Sequence, residues 1–289
     1  MAHHRDIASL ASIAVELKVK IFQELPDLWS AIQLRQTCRE MNTIYLANET
    51  RIRVGCRDRI VAIVDDYYSF LTSFYIDESA LRRPPKHGWP DVERGSSRPA
   101  GDFVLDIVRH LPYITHYQHG DNMNNLEYKC EPMDYSSGYY SRRDDYLDHV
   151  LGDKSAAWER FIQLTHGYES GGHSWYFDTV TCDLIVDIVR IDTVNEGDIE
   201  GHFEELKGKY RDLTYVPVPG DEHGEIEEEE PNECSRLESV DLLARGEYYG
   251  TGLDIKWVRQ LYRKFGWPGP NYRKKEALQA IEDYRDSRI

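Results

Sequence analysis

Basic residues are scarce in this 289-residue chain relative to acidic ones. There are 35 Lys and Arg residues against 51 Asp and Glu residues, which gives a formal net charge of −16. A nucleic-acid binder needs a basic surface that displaces counterions from the phosphates, and attachment to anionic lipid has the same requirement. The composition therefore predicts a protein that binds neither nucleic acid nor a membrane surface.

Long apolar runs and paired cysteines are also missing. No stretch approaches the roughly 20 apolar residues that span a bilayer, and the N-terminus lacks the uncharged apolar segment of a secretory signal. The cysteines are odd in number, widely spaced and form no CxxC pair: Cys38, Cys56, Cys130, Cys182 and Cys234. This pattern is typical of a reducing compartment. We expect a soluble protein of the cytoplasm or nucleus.

The N-terminal part of the chain has a helical apolar periodicity that one proline interrupts. Leu17, Ile21 and Leu25 recur every four residues, which places them on one face of a helix. Pro26 ends that helix because it lacks an N–H group, and Asp27 is placed to cap a second helix. Helices this short are marginal in isolation. They must therefore pack on one another or on a partner protein.

These residues resemble the F-box motif of fungal-type F-box-like proteins. The matching positions are Ile13-Ala14-Val15-Glu16-Leu17, Ile21, Leu25-Pro26, Leu28, Leu34, Cys38-Arg39 and Met41. The chain departs from the motif at its start, where Ile13-Ala14 replaces Leu-Pro. Met41 stands where an aromatic residue is more usual.

The resemblance implies an adaptor protein. Residues 13 to 45 would bind a Skp1-like adaptor, and the remainder would present an unknown protein substrate to a ubiquitin ligase. Six residues would carry the contact, because their apolar stripe exceeds what short helices can bury themselves: Leu17, Ile21, Leu25, Pro26, Leu28 and Leu34. The alternative is an amphipathic helical cap that packs on this chain's own core.

Beyond these helices the sequence predicts an α+β protein in which helices cover a small antiparallel sheet. A long helix is predicted from Arg51 to Ser79, because Ile60, Val64, Tyr67, Leu71 and Phe74 follow helical spacing. The β-branched and aromatic runs His173 to Asp178 and Cys182 to Ile191 predict a hairpin. Further helices are predicted at 103–110, 199–210, 254–265 and 272–284.

These patterns divide the chain into four predicted segments. Residues 1–50 form the F-box-like helical segment, and residues 51–220 form a mixed α+β domain. Residues 221–235 (DEHGEIEEEEPNECS) form an acidic loop. Residues 236–289 form C-terminal helices that pack on the main domain.

A glycine-rich segment before the predicted hairpin suggests a catalytic site as an alternative function. His166, Glu169 and His173 flank the glycines, and Asp178 ends the following strand. General acid–base catalysis needs such a polar cluster on a rigid sheet. These are candidate catalytic residues of a stand-alone biosynthetic enzyme of fungal specialised metabolism. Its pocket would be lined by Tyr, His and acidic residues of 113–178. The same pattern is also typical of a hairpin approach with exposed polar residues.

One acidic run is similar to the aspartate-rich motif of terpene cyclases. Asp144, Asp145 and Asp148 are candidate metal ligands, since helical spacing can present such carboxylates to Mg²⁺. No second metal motif follows in the sequence, and such runs are also typical of solvated loops. We therefore predict no cofactor.

Overall fold

The computed structural model describes residues 13–92, 101–115, 124–137, 159–218, 226–228 and 252–288, and these form an α+β fold, as predicted. The helices are α1 (Val15–Gln23), α2 (Leu28–Gln36), α3 (Arg39–Phe74), α4 (Asp102–His110), α5 (Ile199–Asp212), α6 (Gly252–Lys264) and α7 (Lys274–Ser287). The strands are β1 (Leu81–Arg82), β2 (Tyr113–Ile114), β3 (Cys130–Pro132), β4 (Phe161–Gln163), β5 (Thr165–Gly167), β6 (His173–Asp178), β7 (Asp183–Ile188), β8 (Asp192–Asp198), β9 (Tyr215–Pro217) and β10 (Ile226–Glu228).

Helix α3 is the element on which the other helices pack. Its 36 residues begin at Arg39, well before the predicted start at Arg51. The predicted boundary at residue 50 therefore lies inside one continuous helix. All five residues of the predicted apolar stripe are buried, and α1, α2, α4 and α5 contact this helix. The apolar face of α3 thus forms much of the hydrophobic core.

The main sheet has four antiparallel strands in the order β4-β6-β7-β8. The predicted hairpin is present as β6 and β7, although β7 ends at Ile188 rather than continuing to Ile191. Leu184 and Val186 of β7 face the core, and Ile185 between them is half-buried. Strand β8 was not predicted.

Three two-stranded antiparallel sheets complete the described strands. They pair β1 with β2, β3 with β5, and β9 with β10. The last pair places a strand inside the predicted acidic loop, because Ile226 lies opposite Pro217 and Glu228 opposite Tyr215. Within 221–235, the structure describes only the three residues of this strand, 226–228.

The turn between α1 and α2 is anchored to the main sheet as well as to α3. Asp27 caps α2 as predicted, accepting a hydrogen bond from the backbone N–H of Ser30 at 2.5 Å. The backbone N–H of Trp29 donates to the carbonyl oxygen of Val180 at 2.8 Å, and the thiol of Cys182 donates to the carbonyl oxygen of Pro26 at 3.8 Å. The opening helices therefore rest on the turn between β6 and β7.

The C-terminal helices contact the end of α3. Trp267, which follows α6, stacks on Phe74 with a ring-centroid distance of 3.9 Å. The ammonium of Lys274 donates to the carbonyl oxygens of Thr72 and Ile76, which satisfies acceptors that the end of a helix leaves unpaired. In the described ranges, no helix is both long and apolar enough to cross a membrane.

Candidate functional site

Helix α1 has two apolar faces, and only one of them is buried. Val19 and Phe22 are buried against the core, and the ring of Phe22 meets the edge of Tyr45 at a centroid distance of 5.7 Å. Lys18 shares this face and pairs with Glu40 at 2.5 Å. Leu17 lies on the other flank and is 55% exposed. Helix α1 thus packs mainly through Val19 and Phe22, and the predicted stripe is exposed at Leu17 and half-buried at Ile21 and Leu25.

The exposed apolar side chains of the described residues are concentrated in the opening helices. Six large apolar side chains are exposed among the described residues, and four of them lie between residues 15 and 46. We call Val15, Leu17, Trp29 and Leu46 the N-terminal apolar set. Exposed apolar side chains that form one patch often mark a contact with another protein, whereas single ones are common on any surface. These four side chains are therefore the first candidate site.

The structure places the six predicted partner-binding residues at three depths. Leu17 and Pro26 are exposed, and Ile21, Leu25 and Leu34 are half-buried. Leu28 is buried in the core and cannot reach a partner at the surface. Trp29, Val15 and Leu46 are exposed apolar residues that the sequence did not single out. A helical wheel alone could not find them, because it does not show which flank meets α3.

A buried polar loop is the second candidate site. Residues 124–130 run through the core, and three buried tyrosines donate hydrogen bonds to their carbonyl oxygens. Tyr67 and Tyr210 both donate to Leu126, at 2.9 and 3.1 Å, and Tyr75 donates to Asn125 at 2.7 Å. Burial raises the pKa of each phenol, so all three remain protonated donors at neutral pH. These bonds fix the loop.

Glu127 of this loop holds one of the predicted catalytic residues. Its carboxylate lies 2.8 Å from Nδ1 of His173, and the glutamate is almost fully buried. Burial alone would lower the pKa of His173. The hydrogen bond and the charge of Glu127 outweigh that effect, so the pKa lies above its ordinary value. The contact with Glu127 therefore stabilises the protonated form of His173.

His202 of α5 lies close to the same pair and has the opposite tendency. Burial lowers its pKa, and the charges of Glu127 and Glu196 offset this only in part. Its ring meets Trp175 edge-on at a centroid distance of 5.7 Å. The Nε2 atom of His202 and the indole nitrogen of Trp175 are buried without a hydrogen-bond partner. A neutral imidazole is therefore favoured at this position.

The four predicted catalytic residues are not brought together. Glu169 is exposed, has a positive φ of 56° and pairs with Lys129 at 3.3 Å. His166 is half-buried on β5, opposite Glu131 of β3. His173 and Asp178 stand at opposite ends of β6, which separates them by roughly 16 Å. His173 and Glu169 both contact the buried polar loop, but at different residues, Glu127 and Lys129.

Asp178 has a structural role in the turn that supports α2. It is buried and accepts hydrogen bonds from Nε of Arg160 at 2.7 Å and from the backbone N–H of Val180 at 2.9 Å. The backbone N–H of Thr181 donates to the same carboxylate at 3.4 Å. These bonds order the turn whose Val180 carbonyl accepts from α2.

The remaining predicted chemistry has no described counterpart. Asp144, Asp145 and Asp148 lie outside the described residues. Across the ranges that the structure describes, no three His, Cys, Asp or Glu side chains group closely enough to hold a metal ion. Burial raises the pKa of the Cys130 thiol well above its ordinary value, so this cysteine is not an activated nucleophile.

Comparison with known proteins identifies no relative of this chain. The chain matches no protein-family model, and neither a curated protein nor a solved structure is significantly similar to it.

Proposed function

We propose that this protein is an F-box-type adaptor whose opening helices bind a Skp1-like partner. One observation carries the proposal: α1 buries one apolar face on α3 and leaves the second open, with Leu17 55% exposed. Leu17, which belongs to the stretch that resembles the F-box motif, lies on the open flank, whereas Leu25 and Leu34 are half-buried against the core. A cap that served only this chain's core would bury that stripe.

The exposure pattern supports a contact centred on few side chains. Trp29 is 49% exposed although its backbone is fixed by Val180. A tryptophan has only two side-chain torsions to order on binding, and such residues often dominate interface energetics. Leu17 and Leu46 supply further apolar area. Each fully buried leucine contributes about 1.5–3 kcal/mol, so these residues suffice as the centre of an interface.

Helix α3 supports the second half of the proposal, which is presentation of a protein substrate for ubiquitination. Its 36 residues extend over about 54 Å at 1.5 Å per residue. The helix packs against α1 and α2 near one end, and its Tyr67 ring lies 6.0 Å from the ring of Trp175 in the main sheet. A substrate held by the body of the protein would therefore keep a fixed orientation relative to the bound partner, which transfer of ubiquitin to a defined region requires.

Co-purification with Skp1 tests the proposal. The wild-type chain should form a stoichiometric complex, and Leu17→Asp or Trp29→Asp should abolish it, because each places a charge in an apolar contact. Gln33→Asp is the matched control, since it adds the same charge to an exposed position of α2. The proposal fails if wild-type protein does not bind Skp1, or if all three variants bind alike. Circular dichroism and urea unfolding must show that each variant is folded.

A second function, a stand-alone biosynthetic enzyme with a pocket in residues 113–178, is favoured by the pair formed by Glu127 and His173. A buried carboxylate that orients an imidazole is the arrangement of many general acid–base catalysts. A thermal-shift screen against a panel of small metabolites tests it. A ligand that stabilises the wild type but not His173→Gln would support the enzyme, whereas equal stabilisation of both proteins would reject a site at His173.

A further inference from the structure

Strand β8 is an open edge of the main sheet. It pairs with β7 on one side and is the last strand of the described four-stranded order. Six of its seven residues are exposed, and Gly197 is half-buried. A Cβ atom added at Gly197 would meet no atom within 4 Å, which shows that the strand borders open space there. An edge strand offers backbone donors and acceptors to a further strand. In β8 the N–H groups of Thr193 and Gly197 donate to the side chains of Asp192 and Asn195, at 2.8 and 2.9 Å, and a new strand would have to displace these local bonds.

The surroundings of β8 are strongly acidic. Residues 183–200 contain six acidic residues and a single basic one, Arg190. Asp192 and Glu196 are exposed on β8 itself. Asp187 on β7 adds a buried negative group: it is 7% exposed, one oxygen accepts from the Thr193 hydroxyl at 3.0 Å, and the other has no hydrogen-bond partner. The charge at this edge is therefore of one sign.

Apolar side chains interrupt the acidic ones at the same edge. Ile191 is 68% exposed in the turn before β8, and Val194 is 38% exposed within it. These are the two exposed large apolar residues that lie outside the N-terminal apolar set in the described ranges. Charged side chains alone are enough to keep an edge strand from pairing with other chains. Protection against aggregation therefore does not explain these two exposed apolar residues.

We propose that β8 binds an extended basic segment of a partner protein, which joins the sheet as a fifth strand. Strand addition takes its affinity from backbone hydrogen bonds and its selectivity from alternate side chains. Asp192 and Val194 share one face of β8. A Lys or Arg on that face would pair its charge with Asp192 and lay its methylene groups over Val194, and an apolar residue on the alternate face would cover Ile191. Glu196, at the bulge in β8, adds a further carboxylate. This surface is separate from the N-terminal apolar set, so the inference goes beyond the proposed function and does not depend on it.

The charge at the edge argues against a second copy of this chain as the occupant. Two copies paired through β8 would bring the acidic residues of both strands together. Like charges at close cross-strand positions are destabilising. An acidic partner strand is disfavoured for the same reason, whereas a basic strand gains complementary pairs along its length.

The test uses three labelled peptides and fluorescence anisotropy. The first is an eight-residue peptide of alternating Lys and Val. The second has the same side chains with alternate backbone nitrogens methylated, which blocks strand pairing. The third replaces every Lys with Glu. We expect binding of the first alone, with affinity that falls as salt rises, and hydrogen-exchange protection confined to β8.

A pair of double variants locates the site. Asp192→Asn/Glu196→Gln should weaken binding of the first peptide about fivefold, as expected for two partly exposed ion pairs. Glu282→Gln/Asp283→Asn makes the same charge change on exposed positions of α7 and should leave binding within about twofold. Leu17→Asp should also bind the peptide normally, which separates this test from that of Skp1 binding.

Several results would overturn the proposal. Equal binding of the N-methylated peptide would show charge attraction without strand addition. An equal loss in both double variants would place the peptide elsewhere on the acidic surface. Sedimentation that revealed a dimer broken by Asp192→Lys would assign the edge to a second copy of the chain.

Discussion

The replacement Phe22→Ala, compared with Leu17→Ala, tests which flank of α1 faces the core. Phe22 is fully buried and meets Tyr45 edge-on. A buried phenylalanine replaced by alanine costs about 3–5 kcal/mol of unfolding free energy, because transfer and cavity terms add. Leu17 is already 55% exposed, so its loss removes less than half of the burial of a leucine. We expect about 0.5 kcal/mol for Leu17→Ala.

Urea unfolding followed by circular dichroism measures this difference. The m-value for a chain of this size is about 3 kcal/mol/M. Phe22→Ala should therefore lower the urea concentration at the unfolding midpoint by about 1 M, and Leu17→Ala should hardly change it. Phe22→Leu is the conservative control and should recover most of the loss. Hydrogen exchange in α1 should accelerate in Phe22→Ala, which detects detachment of the helix short of global unfolding. Equal costs for the two alanine variants would refute the two-faced description of α1.

Other outcomes follow from the polar contacts. His173→Gln should make stability fall more steeply on acidification, because the raised pKa of His173 adds stability below about 6.5 that is lost as pH rises through the folded-state pKa. His202→Asn should do the reverse, since its lowered pKa makes the folded protein lose stability as pH falls below about 6.5; urea midpoints between pH 5 and 8 check both. Asp178→Ala should cost about 2–3 kcal/mol by leaving buried N–H groups unpaired, measured by thermal unfolding. A fragment of residues 1–50 should show little helix by circular dichroism, because it lacks most of α3 and the acceptor at Val180.

Local signals in the sequence were enough to predict much of the fold. The stripe from Ile60 to Phe74 and the cap at Asp27 were assigned correctly, because each depends on spacing or chemistry within a few residues. The hairpin of β6 and β7 was recognised from its β-branched and aromatic residues. The start of α3 was missed because Arg39 to Thr50 carries many polar side chains. Its helical state depends on packing with α1 and α2.

The residues that sequence reasoning missed depend on contacts far along the chain. Strand β8 has neither alternation nor an apolar run, and only its pairing with β7 makes it a strand. Glu127 lies 46 residues before His173, so their pairing could not be inferred from a local motif. The same limit applied to α1, where the sequence pointed to the face of Leu17, Ile21 and Leu25, but Val19 and Phe22 make the main contact with the core. Tertiary contacts decided each case.

The hydrogen bonds that Val180 and Cys182 make with the α1–α2 turn have a consequence for protein synthesis. These residues emerge from the ribosome about 150 positions after the helices that they support. A nascent chain can form α1 early, yet Trp29 acquires its fixed backbone only once the hairpin of β6 and β7 is made. A partner that binds this tryptophan would therefore bind chains in which the sheet has already folded and would not bind nascent chains that lack it.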